Sequence, residues 1–137
     1  MNTTAQDTPS KRSSIGAQAE RMQREPKQVS IPARDGYPLA GTLYPAHRDT
    51  RSVVILSSAT AVPRRFYRHF AAALAAAGYT VLTYDYRGIG DSKPKVLKGF
   101  DARARDWALL DMAGVLDWVK RELTPRRLFM VGHSFGG

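Results

Sequence analysis

The sequence contains no cysteine and no long apolar run, and both absences narrow the kinds of protein it can be. Without cysteine there is neither a disulfide framework nor thiol chemistry, which is usual in a reducing cytoplasm. A membrane span needs roughly 20 consecutive apolar residues, but the apolar stretch at residues 51–62 is interrupted by Ser57, Ser58 and Thr60. We therefore expect a cytoplasmic protein without a membrane partner.

Residues 1–27 are poor in apolar side chains and rich in serine, threonine, glutamine and charge. They lack the apolar core of about 7–15 residues that marks a secretion signal. Such a composition buries too little apolar surface to fold by itself. We predict that residues 1–27 are a disordered polar extension and that residues 28–137 belong to one domain.

The chain carries a net charge of +9, which raises the question of nucleic-acid binding. The basic residues are scattered along the sequence, and no signature of a nucleic-acid-binding module is present. A solvated basic surface accounts for this charge. We expect no nucleic-acid partner.

Strand and helix patterns alternate after residue 28. Short β-branched and apolar segments predict strands at residues 28–31, 39–44, 52–56, 80–84 and 128–131. Apolar residues at helical spacing predict helices at residues 66–77 (Phe66, Phe70, Ala73, Leu74, Ala77) and 101–123 (Ala108, Met112, Val115, Val119). This order favours an α/β fold, in which a mostly parallel sheet has helices on both faces.

A G-x-S-x-G motif, Gly132-His133-Ser134-Phe135-Gly136, follows the apolar residues 128–131. A strand followed by this motif is typical of a nucleophile elbow, a sharp turn that presents a serine. Glycine is needed at 132 and 136 because the backbone there is strained and two segments approach closely. The motif predicts that Ser134 is a catalytic nucleophile.

Three segments together resemble the N-terminal half of an α/β-hydrolase. They are residues 132–137 (GHSFGG), residues 85–92 (DYRGIGDS), which are similar to the family's D-x-R-G-x-G-x-S loop, and residues 53–63 (VVILSSATAVP), where the family places its oxyanion loop. One predicted helix lies in each gap between them, as in the family. The resemblance implies a partial α/β-hydrolase fold that is truncated after the nucleophile elbow.

The resemblance also implies roles for individual residues. The backbone N–H of Phe135 would be one oxyanion donor, and the N–H of Thr60 or of Ala59 the second. Many relatives have His-Gly where this chain has Ser58-Ala59, so both choices stay open. A helix that begins after Ser134 would add its positive dipole end.

The catalytic acid and histidine are absent, because the family's chain order places both after the serine and three residues follow Ser134 here. We expect His47 in a surface loop, His69 facing solvent, and His133 in packing or hydrogen bonding rather than catalysis. No cofactor and no metal ion is expected.

Several charged and aromatic residues near these motifs have two possible interpretations. Asp85 and Arg87 could be catalytic charges, but we interpret them as structural residues that hold the 85–92 loop. Trp107 and Trp118 could belong to a cofactor site, but we interpret them as packing residues on a helix face. Arg64, Arg65 and Arg68 lie at a predicted helix start, an end that disfavours cations. They form either a solvated basic face or a site that steers anionic substrates.

The resemblance implies a serine hydrolase that cleaves an ester, thioester or amide of a small molecule through an acyl-enzyme on Ser134. Two alternatives remain: a non-catalytic remnant or binding module with the same fold, and an acyltransferase using the same serine. We expect the 137-residue chain itself to be inactive. We also expect it to self-associate through the unpaired sheet edge at residues 128–131.

Overall fold

A computed structural model describes the backbone of residues 9–137 and the side chains from residue 11 onward. Its main elements are α1 (Pro9–Arg24), β1 (Lys27–Pro32), β2 (Pro38–Tyr44), β3 (Ser52–Ser57), α2 (Arg68–Ala76), β4 (Thr80–Tyr84), α3 (residues 104–122) and β5 (Arg127–Gly132). Short 3₁₀ turns lie at Arg64–Tyr67, Gly90–Ser92 and Ser134–Gly136. No described helix is long and apolar enough to cross a lipid bilayer.

The five strands form one sheet in the order β1-β2-β4-β3-β5. The β1–β2 and β2–β4 pairs are antiparallel, whereas β3 is parallel to both β4 and β5. Crossover connections through α2 and α3 join the parallel strands, as an α/β fold requires. The carboxyl ends of β3, β4 and β5 therefore lie at the same edge of the sheet, where the sequence motifs are.

Helices cover the two faces of the sheet, as predicted. On one face, Val115 and Val119 of α3 pack with Ile55 and Leu82, and on the other face Ala71 and Ala75 of α2 pack with residues such as Val54. All six residues of β3 are buried, because this strand has neighbours on both sides and helices above and below.

The disorder predicted for residues 1–27 is wrong for most of that segment. Pro9–Arg24 form a helix, and Lys27 already belongs to β1. The helix side chains are exposed from residue 11 onward, so local helix propensity rather than burial accounts for α1. Residues 1–8 of the predicted extension lie outside the described residues.

The buried face of α2 differs from the predicted stripe. Ala71 and Ala75 are buried, with Leu74 partly buried beside them. The other predicted stripe residues are exposed: Phe66 (66%), Phe70 (50%), Ala73 and Ala77. The buried face at residues 71, 74 and 75 is thus displaced by one position from the predicted stripe, and its small alanines pack against the sheet while the two phenylalanines stay outside.

A π-helical segment, Trp107–Met112, lies within α3. Val115 and Val119 are buried as predicted, but Ala108 is exposed and Asp111 is buried in its place. The wider π turn shifts the buried stripe in the N-terminal half of the helix.

Candidate active site

Ser134 occupies a sharp turn directly after β5. Its φ of 56° lies in the left-handed region, which costs a residue with a side chain about 1–3 kcal/mol. The Gly137 N–H donates to the Ser134 carbonyl oxygen at 3.1 Å, which closes a 3₁₀ turn over Ser134–Gly136. Ser134 is exposed to solvent. The strained, outward turn predicted from the motif is therefore present.

Gly132 and Gly136 are required by close backbone contacts. A Cβ at Gly132 would lie 2.0 Å from the Gly136 carbonyl oxygen, and a Cβ at Gly136 would lie 2.2 Å from that of Ser57. The His133 N–H also donates to the Ser57 carbonyl oxygen at 3.1 Å. These contacts hold the elbow against the end of β3, where the predicted oxyanion loop begins.

The structure distinguishes the two candidate donors in the oxyanion loop. The Ala59 N–H donates to the Tyr67 hydroxyl at 3.0 Å, so this N–H already has an acceptor. In the described part of the chain, no hydrogen bond uses the N–H of Thr60 or of Phe135. This difference favours Thr60 over Ala59 as the partner of Phe135.

Aromatic packing anchors Phe135. Its ring meets Tyr86 edge-on at 5.9 Å and Trp107 edge-on at 5.6 Å, and the Tyr86 and Trp107 rings stack at 5.2 Å. The Trp107 Nε1–H donates to the Arg87 carbonyl oxygen at 3.1 Å. Trp107 therefore packs beneath the elbow, and Trp118 packs against the same core, as predicted for both. Burial raises the pKa of the Tyr86 phenol.

Arg64 is a buried structural residue, so both interpretations offered for it are wrong. Its guanidinium forms ion pairs with Asp85 and, at 2.8 Å, with Asp91. It also donates to Thr42 Oγ1 at 2.9 Å and to Gln28 Oε1 at 2.7 Å. The side chain is 10% exposed, and these acceptors compensate for the loss of hydration.

Arg65 and Arg68 are the two members of the predicted basic cluster that remain exposed. The Arg68 Nη1 donates to the Arg65 carbonyl oxygen at 3.1 Å, so both lie on the same turn. The exposed pair is the part of the cluster that a mobile anion could reach.

Asp85 holds the loop after β4 from within. Its carboxylate accepts hydrogen bonds from the Arg64 backbone N–H at 2.6 Å and the Asp91 N–H at 3.1 Å. Gly90, with φ 50°, lies so close that a Cβ would be 2.5 Å from the Asp85 carboxylate. The structural interpretation of Asp85 is confirmed.

Arg87 connects the same loop to two other elements. It binds Asp111 of α3 through its backbone N–H at 2.9 Å and its Nε at 2.8 Å, and it binds both carboxylate oxygens of Asp35 at 2.8 Å. Hydrogen bonds from Arg87 lower the pKa of Asp35 to about 2, whereas burial raises the pKa of Asp111. These partners confirm that Arg87 is structural.

None of the described histidines is hydrogen-bonded to Ser134. His47 and His69 are exposed, as predicted, and His133 pairs through Nδ1 with the Tyr67 hydroxyl at 2.9 Å. The described residues also contain no cluster of carboxylates and histidines suited to a metal ion. The site therefore contains a serine and candidate oxyanion donors, without a general base in contact.

The alpha/beta hydrolase fold family model matches residues 51–137. The chain belongs to this family. The matched segment contains the oxyanion loop, the 85–92 loop and the nucleophile elbow, so the three motifs that suggested the family lie within the match.

Known proteins that resemble this family member include an esterase, another alpha/beta hydrolase and a lipase. The chain is 24% identical to the Pyrococcus furiosus esterase Pf2001 (TM-score 0.67; 99% of this chain, 48% of that one) and 27% identical to the alpha/beta hydrolase GrgF from Penicillium sp. sh18 (TM-score 0.68; 82% and 38%). It is 33% identical over 63 residues to the lysophosphatidylserine lipase ABHD12 of Danio rerio (46% and 15%). The chain thus spans about half or less of the length of these relatives.

Proposed function

We propose that Ser134 is the nucleophile of a serine hydrolase that cleaves an ester, thioester or amide of a small molecule. The observation that carries this proposal is the strained φ of 56° at Ser134 between two glycines that no larger residue could replace. Such strain persists where the surrounding structure enforces it, and it clusters at active sites. Esterase and lipase relatives support the reaction type.

In the proposed reaction the Ser134 Oγ attacks the acyl carbon and gives its proton to a general base. The tetrahedral oxyanion accepts hydrogen bonds from the N–H groups of Phe135 and Thr60. The bond to the leaving group then breaks, the leaving group takes the proton from the base, and an acyl-enzyme remains. Water, activated by the same base, releases the acid and restores the serine.

The base of this reaction is a histidine oriented by an acid, and both come after the serine in the family's chain order. The described histidines do not contact Ser134. We therefore propose the activity for the longest protein that this reading frame encodes.

The test compares Ser134→Ala with Ser13→Ala, an exposed serine on α1, in that longest protein. Hydrolysis of p-nitrophenyl acyl esters should fall by about 10⁴-fold or more in Ser134→Ala, because a triad serine acts as a unit with its base. A fluorophosphonate should label the unchanged protein and Ser13→Ala at Ser134. Full activity in Ser134→Ala would refute the proposal.

The same assay separates the two alternatives. Faster acyl transfer to an added alcohol than to water would identify an acyltransferase. If the protein shows no turnover and no labelling, it is a non-catalytic remnant.

We also propose that the exposed Arg65 and Arg68 attract anionic substrates. Replacing both with glutamine should lower kcat/KM for anionic esters selectively, and the loss should shrink as salt is added, because exposed charges are screened. An equal loss with neutral esters would contradict this role.

A further inference from the structure

The Tyr67 hydroxyl connects two segments that are distant in the sequence. It accepts a hydrogen bond from the Ala59 N–H at 3.0 Å, and it lies 2.9 Å from His133 Nδ1. Ala59 belongs to the oxyanion loop, and His133 immediately precedes Ser134. One phenol oxygen therefore joins the loop that supplies one candidate donor to the elbow that supplies the other.

The Tyr67 hydroxyl can make both contacts at once. Its oxygen accepts from the Ala59 N–H, and the contact with His133 is made either by the Tyr67 O–H donating to Nδ1 or by Nδ1–H donating to the Tyr67 oxygen, according to the imidazole tautomer. The Tyr67 and His133 rings also pack edge-on, with their centroids 6.0 Å apart, and this contact helps to hold the two side chains together.

The oxyanion loop needs such a contact because its backbone is strained. Ala61 has a φ of 61°, in the left-handed region, within a turn that the Val62 N–H closes onto the Ala59 carbonyl oxygen at 3.1 Å. The pairing of β3 with its neighbours ends at Ser57. Tyr67 holds the loop beyond that point.

We propose that Tyr67 is a positioning residue of the oxyanion hole. By engaging the Ala59 N–H and His133 together, it fixes the distance between the Thr60 and Phe135 donors. Because Tyr67 accepts the hydrogen bond of the Ala59 N–H, the Thr60 N–H is the donor that remains for the substrate. This inference rests on the proposed function, in which Ser134 is the nucleophile.

The test is Tyr67→Phe in the longest protein that the reading frame encodes, because phenylalanine keeps the ring and removes both hydrogen bonds. Removing a whole oxyanion donor costs about 10²–10³ in kcat, so a displaced donor should cost roughly tenfold. KM should change less than about twofold, because the oxyanion forms in the transition state. The Ki of a trifluoromethyl ketone, which forms an oxyanion adduct with the serine, should rise with the loss in kcat.

The ketone Ki separates positioning from a merely structural role. A variant that is partly unfolded would lose active enzyme and therefore kcat, but the remaining molecules would bind the ketone unchanged. Tyr79→Phe is the matched control, because Tyr79 is a partly buried tyrosine that packs in the core cluster beneath α2. Its kcat and Ki should match those of the unchanged protein.

His133→Ala is the second variant, since it removes the elbow end of the same bridge. Combined with Tyr67→Phe it should add little further loss, because residues in one network are not additive. If Tyr67→Phe does not fold, the Ki shift in His133→Ala decides. If the ketone Ki is unchanged in these variants, the positioning role of Tyr67 is overturned. The proposed function still stands in that case, provided that Ser134→Ala loses activity. Activity retained in Ser134→Ala overturns both.

Discussion

At the scale of single residues, neighbouring arginines of one short segment have separate roles. Arg64 is buried and bound to Asp85, whereas Arg65 is exposed. The basic residues by themselves do not reveal this difference, because Asp85, the carboxylate that pairs with Arg64, lies 21 positions further along the chain. The requirement for glycine at 132 and 136, in contrast, followed from the local motif.

We expect Arg64→Gln to lower the free energy of unfolding by about 3–5 kcal/mol, because it leaves the Asp85 carboxylate buried without its cation. Urea unfolding of the longest encoded protein measures this change. Arg65→Gln, at an exposed position beside it, should change the same quantity by less than about 0.5 kcal/mol. Similar unfolding midpoints for the two variants would show that the ion pair does not stabilise the fold.

At the scale of secondary-structure elements, β5 is the strand with the most exposed apolar residues. It pairs with β3 on one side, and in the described residues no strand pairs with its other side. Phe129, Met130 and Val131 are 44%, 46% and 39% exposed. An apolar edge strand of this kind is a template for pairing with another chain.

We predict that the 137-residue chain self-associates through β5 at physiological ionic strength. The net charge of +9 opposes association, but salt screens this repulsion within about 10 Å. Met130→Lys should reduce association in light scattering, because a charge on an edge strand blocks pairing. Leu97→Lys, at an exposed loop position, is the control and should not reduce it. A monodisperse monomer with a cooperative melt would contradict the prediction.

At the scale of the whole molecule, the fold brings the ends of β3 and β5 together and thereby joins the oxyanion loop to the nucleophile elbow. The parallel arrangement accounts for this proximity, since the carboxyl ends of parallel strands share one edge of the sheet. The described part of the molecule places there Ser134, the proposed nucleophile, and the backbone N–H groups proposed as oxyanion donors. It places no histidine in hydrogen-bond contact with Ser134.

We therefore predict that the purified 137-residue chain has no turnover of its own. Without a base to take the serine proton, an oxyanion hole and binding give weak residual catalysis. Hydrolysis of p-nitrophenyl acetate by the chain should equal that of its Ser134→Ala variant. A rate well above that control would show that a group within these residues acts as the base.

The sequence by itself determined the α/β order of elements, the family and the strained turn at Ser134, because these depend on local periodicity and on glycines close in the chain. The tertiary structure decided what depends on distant partners. Arg64 is buried against Asp85, Phe66 and Phe70 are exposed, and the Ala59 N–H donates to the Tyr67 hydroxyl. Each of these outcomes depends on which segments the sheet places side by side, and one chain pattern is compatible with several such arrangements.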